Sequence, residues 1–180
     1  MKRIFLCFSL AAFLISCDSK TDKTAKTTGT TDSSASKTST SLPYTASYTS
    51  NWNTDVSDTD LETTLMTYKN WETGDMQGLA TRLADSVTVE MSSGDHLVKS
   101  NADLIKMWGT YRDSLSSVRI DMESWHKMYA TDKKDSYIVT WYKEYDTYKS
   151  GKVDSASFHD INQLKNGKIT WYSQYKRPMK

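Results

Sequence analysis

Cysteine is nearly missing from this chain: 180 residues hold two, Cys7 and Cys17, both close to the start. No disulfide framework can form beyond them, so whatever folds downstream is held by an apolar core. An excess of charge of one sign is missing too, with 23 basic residues against 22 acidic ones. Nucleic acid binding needs a clustered positive field on phosphate, so nucleic acid is not an expected partner. The basic tail Lys176-Arg177-Pro178-Met179-Lys180 reads as a solvated terminus. No apolar run reaches the ~20 residues a helix needs to span about 30 Å of hydrocarbon. The chain also lacks a phosphate loop and a GxSxG elbow. His96 follows Gly94-Asp95 in an expected loop, without partners at ligand spacing, so neither a metal nor a cofactor is expected.

What is present at the N-terminus is a pattern of export. Lys2 and Arg3 precede an apolar run from Ile4 to Ile15, interrupted only by Cys7 and Ser9. This is the n-region and h-region of a signal peptide, assigned to residues 1–16. Leu14-Ile15-Ser16-Cys17 resembles the bacterial lipobox, in which the chain is cut before a cysteine whose thiol is diacylated. The resemblance implies a lipoprotein: Cys17 carries the lipid, palmitate-type acyl chains hold the protein to a membrane, and the address is the bacterial cell envelope, facing the periplasm or the cell surface. Cys7 then leaves with the signal and the lipid consumes Cys17. The mature chain keeps 21 basic and 22 acidic residues, and no thiol is left to act as a nucleophile.

Between Asp18 and Ser41, 14 of 24 residues are Ser or Thr, and none is large and apolar. Such a stretch cannot bury enough surface to offset its ordering entropy. Residues 17–50 are therefore expected to be a lipidated, disordered tether, and residues 51–180 one domain. The boundary is expected between about Pro43 and Val56, where aromatic side chains begin.

The domain should be α+β. Thr59-Asp60-Leu61-Glu62 fits a capping box, and Leu61, Leu65, Tyr68 and Trp71 recur at helical spacing before Gly74. Asp75 caps a second, short helix with Met76, Leu79, Ala80 and Leu83 as its apolar positions. Ser86 to Met91 alternates as a short strand. Ser100 caps a third helix with the stripe Leu104, Trp108, Tyr111 and Leu115. From Val118 onward the sequence predicts four antiparallel strands, joined at 131–134, Ser150-Gly151 and Asn166-Gly167.

With four, two and two residues in those loops, the register follows, and opposed residues share a face. One face collects His126, Trp141, Asp160, Asn162 and Trp171 among apolar neighbours, with Asp160 opposite Trp141 and Ser173. A carboxylate there is costly unless it is paired, hydrogen-bonded, protonated or lining a wet cavity. The other face, with Ile138, Thr140, Tyr142, Glu144, His159, Ile161, Tyr172 and Gln174, suits a sheet-to-sheet homodimer contact.

Three helices with one strand between them, followed by a long antiparallel sheet, look like the cone-shaped fold of nuclear transport factor two and the SnoaL-like polyketide cyclases. Thr73-Gly74-Asp75 through Leu83-Ala84-Asp85, and Asp160-Ile161-Asn162 with Asn166-Gly167-Lys168-Ile169, resemble short segments of that superfamily. The similarity covers about residues 58–178. It implies a cone with three N-terminal helices packed on a curved, mainly antiparallel sheet. The ketosteroid isomerases of this fold use a strand Asp base, a helix Tyr and a second Asp as hydrogen-bond donor. Only the donor Asp has a counterpart here, Asp160. The base position falls on Met91, which cannot take a proton, and the helix Tyr position on Thr67, beside Tyr68. The leading expectation is thus a domain that binds a small apolar or aromatic molecule, with Tyr68, Trp71, Trp108, Trp141, Asn162 and Trp171 around it. The alternatives are a cyclase, isomerase or hydratase acting through catalytic Asp160 and His126, and a non-catalytic module that dimerises through its sheet.

Overall fold

Ser57 starts the first helix two residues ahead of the expected Thr59. Its backbone is extended, and its hydroxyl accepts the Asp60 N–H at 3.0 Å, taking one of the donors a helix start leaves free. Helix α1 (Asp58–Thr73) ends at Gly74, whose φ of 77° lies in the left-handed region that glycine enters without a Cβ penalty. Asp75 then caps the five-residue α2 (Met76–Ala80) by accepting the Gly78 N–H at 2.8 Å. The computed structural model describes residues 42–179. The signal segment, Cys17 and most of the tether lie outside the described residues.

Two strands rather than one follow α2: β2 (Leu83–Glu90) and β3 (His96–Ser100) form a hairpin through Gly94. His96 is thus a strand residue, with Nδ1 2.8 Å from Glu90 Oε1 opposite it. Ser100 caps α3 (Asn101–Arg112) through the Asp103 N–H. Four long strands complete the domain: β4 (Leu115–Ala130), β5 (Asp135–Tyr148), β6 (Val153–Lys165) and β7 (Lys168–Pro178). A short β1 (Trp52–Asn53) pairs with the end of β4. The sheet order is β1-β4-β5-β6-β7-β2-β3, antiparallel except for the parallel pair β2–β7. The described residues are α+β, with a mixed seven-stranded sheet.

The expected register holds at two turns and fails beyond them. Asn166 and Gly167, with φ of 53° and 72°, make the two-residue turn, and Lys165 pairs Lys168. Between Gln163 and Leu164 a bulge then shifts the pairing by one, so that Tyr172 lies opposite Asn162. At the β5–β6 turn, Gly151 takes φ 84° and Tyr148 N–H donates to Lys152 O at 2.8 Å, which makes a three-residue loop. Asp160 therefore pairs with Thr140 and Gln174 instead of Trp141 and Ser173. A third shift, between Met122 and Ser124, exchanges the faces of β4 halfway along. Because side chains alternate with period two, each one-residue slip moves a whole run to the other side of the sheet.

The helix-facing side consequently carries Ile138, Thr140, Tyr142 and Glu144, which had been expected on the dimer face, together with Phe158, Asp160, Asn162 and Tyr172. Leu104 of α3, fully buried, packs with Val87, Val89, Ile138, Leu164 and Ile169 into the main core. A second cluster joins Tyr68 of α1 to Tyr142, Phe158 and Ala156. At the other end of the sheet, Tyr48 donates to Asp135 Oδ2 at 2.5 Å, so chain contact with the sheet begins before residue 51.

Candidate functional site

The site grows from one buried carboxyl. Asp160 of β6 is 0% exposed, and three phenols converge on its Oδ2: Tyr142 of β5 at 2.8 Å, Tyr172 of β7 at 3.0 Å and Tyr68 of α1 at 3.1 Å. The Tyr68 proton is committed to Asp160, so its oxygen accepts from Asn162 Nδ2 at 3.1 Å and from the Thr140 hydroxyl at 2.7 Å. Gln174 Nε2 donates to the Tyr172 oxygen at 2.7 Å. Four secondary elements thus meet on one carboxylate oxygen, whereas Oδ1 is buried with no partner among the described residues. Burial pushes the Asp160 carboxyl up to about 7, against the opposing pull of the three phenol donors. Burial and the neighbouring Asp160 charge push all three phenols well above their ordinary value, so they remain donors.

In front of this network lies a cavity of about 480 Å³ between α1, α3 and the sheet. Tyr68, Tyr142 and Tyr172 form part of its wall, and Asp160 sits behind them. Trp71, Trp108, Met107, Leu79 and Phe158 supply much of the apolar remainder. The Trp108 ring meets Tyr172 edge to face at 6.3 Å, and Trp71 lies parallel to Tyr111 with centroids 6.1 Å apart. Toward the end of β5 the wall turns acidic with Glu144 and Asp146. Burial first, and the Asp146 charge second, push Glu144 up to about 8. Burial raises Asp146 as well, although Tyr111 donates to its Oδ2 at 2.9 Å.

Of the residues expected around a ligand, Tyr68, Trp71, Trp108 and Asn162 do line this cavity. Trp141 and Trp171 do not; the register shifts carry both to the outer face, where Trp141 packs against His159 at 5.8 Å. His126 pairs with Val139 on that same outer face and is exposed. The sheet separates it from Asp160, so the expected Asp160–His126 pair does not form. Tyr142, Tyr172, Glu144 and Asp146 were missed as wall residues because they alternate with the residues chosen. The Lys149-Ser150-Gly151 loop held the signal that could have found them. Among the described residues no cluster of three metal-ligating side chains occurs. No helix there is long and apolar enough to cross a membrane.

Solved structures share this architecture. An LEH-like epoxide hydrolase from M. tuberculosis superposes with a TM-score of 0.57 at 8% identity, over 67% of this chain and 84% of that one. An NTF2-like protein from Anabaena variabilis gives 0.56 at 16% identity, over 71% and 96%. AusH from Aspergillus nidulans gives 0.55 at 12% identity, over 68% and 86%. The folded part of the chain has the nuclear transport factor two-like, or SnoaL-like, fold. No protein-family model and no curated protein sequence matches the chain.

Proposed function

We propose that this chain is a cell-envelope lipoprotein whose nuclear transport factor two-like domain binds a small apolar or aromatic molecule in the cavity between its helices and its sheet. The observation that carries this is the 480 Å³ cavity itself, walled by Trp71, Trp108, Tyr68, Tyr142 and Tyr172 in front of a buried carboxyl. Its volume falls within the roughly 300–1,000 Å³ common for small-molecule sites, and its polar groups are few and fixed, which favours orientation over indiscriminate uptake. Epoxide hydrolysis, the activity of one structural neighbour, belongs to that protein. The test is titration of the full-length chain with naphthalenemethanol, a neutral aromatic probe, followed by saturation-transfer NMR. Binding that disappears in Met91→Trp, which puts an indole into the cavity, supports the proposal; binding unaffected by that change refutes it.

A catalytic reading rests on one observation, that Asp160 is held near neutrality and touches three phenols that face the cavity. Any proton it exchanged with a ligand would pass through Tyr68, Tyr142 or Tyr172 and not through His126. The proposed anchor is Cys17, with residues 17–50 as the spacer. In Cys17→Ser, loss of the chain from the membrane pellet is the expected result. The proposed dimer uses the outer sheet face, with the residues that the structure puts there.

A further inference from the structure

The acidic end of the cavity is the one part of its wall that a purely apolar ligand leaves unexplained. Glu144 and Asp146 stand two positions apart on the helix-facing side of β5 and close enough to influence one another directly. Asp146 is 7% exposed; Tyr111 serves its Oδ2, and its Oδ1 is buried with no partner among the described residues. Two carboxyls in low dielectric cannot both carry charge cheaply, and within the chain a shared proton is what relieves them. Trp71 of α1 donates its indole N–H to Glu144, and the Lys176 charge acts on Asp146; the other groups facing the pair are phenolic, acidic or apolar. Tyr111 comes from α3, Tyr148 from β5 and Asp154 from β6, while β4 offers Val118 and Ile120 across the strand pair. Deeper in lie Tyr142 and Asp160. Among the described residues, Lys176 of β7 is the cation lining the cavity; its ammonium lies 3.5 Å from Asp154 and over the Phe158 ring. Trp71 and Tyr111, stacked parallel with centroids 6.1 Å apart, turn their N–H and O–H edges toward the carboxyls and wall the pair with aromatic surface.

We propose that the molecule held in this cavity has an apolar or aromatic body and a protonated amine, with the amine nitrogen seated on Glu144 and Asp146 beside Trp71 and Tyr111. This rests on the cavity being a binding site and names the ligand's class. The cation replaces the proton that the pair shares, completes the free acceptor of Asp146 and leaves the aromatic body against Trp108 and the tyrosines. Binding near neutral pH therefore releases a proton.

The test compares three probes of one shape by isothermal titration: naphthylmethylamine, naphthalenemethanol and naphthoate. The full-length chain is held in lipid nanodiscs, with empty nanodiscs as blank. The amine is expected to bind about tenfold or more tighter than the alcohol, as charge-assisted hydrogen bonds do, and the naphthoate weakest. Its heat should change with buffer ionisation enthalpy, which reports the released proton. In Glu144→Gln and Asp146→Asn the ratio of amine to alcohol affinity should fall to about threefold or less, and an unchanged far-UV circular dichroism spectrum shows that the variants are folded. An alcohol that binds as tightly as the amine overturns the inference and leaves cavity binding standing. An amine preference that survives both substitutions overturns it too. If no probe binds, the inference and the binding function fall together.

Discussion

Tyr172 donates its hydroxyl to Asp160 Oδ2 at 3.0 Å and at the same time accepts from Gln174 at 2.7 Å, so one phenol links the buried carboxyl to the cavity wall. Asp160 is pushed up to about 7 in the fold, whereas an unfolded Asp titrates near 3.9. The folded chain thus holds its proton more tightly, and this group's contribution is complete below pH ~3.9 and lost as pH rises through about 7. Glu144, pushed up to about 8, extends the same loss to that pH. Asp58, Glu72 and Asp132 are lowered by their partners and act oppositely, losing stability in acid. Maximum stability is expected at mildly acid pH, and Asp160→Asn should remove a large share of the fall between pH 5 and 7, Glu144 carrying the rest. The amide leaves an N–H where Oδ1 has no partner among the described residues, at about 1–3 kcal/mol, so the variant should melt lower at pH 5 and close the gap by pH 8. Parallel melting curves across that range would rule this out.

Tyr68 is the joint between helix and sheet. Its hydroxyl serves Asp160, Thr140 and Asn162, all buried, and its ring lies 4.9 Å from that of Tyr142. Tyr68→Phe keeps the ring and leaves an amide donor and a hydroxyl short of a partner. Denaturant unfolding should show a loss of about 1–3 kcal/mol, with the slope unchanged. Asp160, with one donor fewer, should titrate higher still by carbonyl NMR.

The α1–α2 corner is tight for a reason specific to one glycine. A Cβ at Gly78 would run into the Asp75 carboxyl and the Asn70 amide, which are themselves hydrogen-bonded at 2.8 Å. Gly78→Ala must swing Asp75 away and forfeit the cap on α2, so it should cost about 1 kcal/mol or more although alanine favours helix. The thermal midpoint decides this: a rise would mean the corner opens freely.

What the sequence made legible follows from what is local. Caps at Ser100 and Asp75 were readable because they act over three residues, and the Asn166-Gly167 turn because both its positions require positive φ. Asp160 stood out as a carboxyl in an apolar pattern, and Tyr68, Trp71 and Trp108 as one helical side of a cavity. The opposite wall was misassigned because strand faces depend on counting every residue between two points. Gly151 turned a two-residue loop into three, and the bulges at Gln163–Leu164 and Met122–Ser124 each added one more. No pattern in the sequence distinguishes Tyr142 from Trp141 once that count is off, for both are aromatic and both suit a strand.

The corrected register also defines the surface on which the proposed homodimer rests. Three cross-strand rows cover the outer face of β4 to β7: Met128, Tyr137, Gln163 and Trp171; His126, Val139, Ile161 and Ser173; Ser124, Trp141, His159 and Tyr175. None of these positions is Asp, Glu, Lys or Arg, while the neighbouring row brings in Lys143 and Arg177. Depletion of charge at the centre with aromatic enrichment is how association surfaces differ from ordinary ones. Ile161 sits in the middle row, so Ile161→Arg should put two like charges across a two-fold contact and desolvate both. Sedimentation of the full-length chain should shift from dimer to monomer, with the melting point of the monomer kept because Ile161 faces away from the core. A natural chain that sediments as a monomer at tens of micromolar would end the proposal for this face.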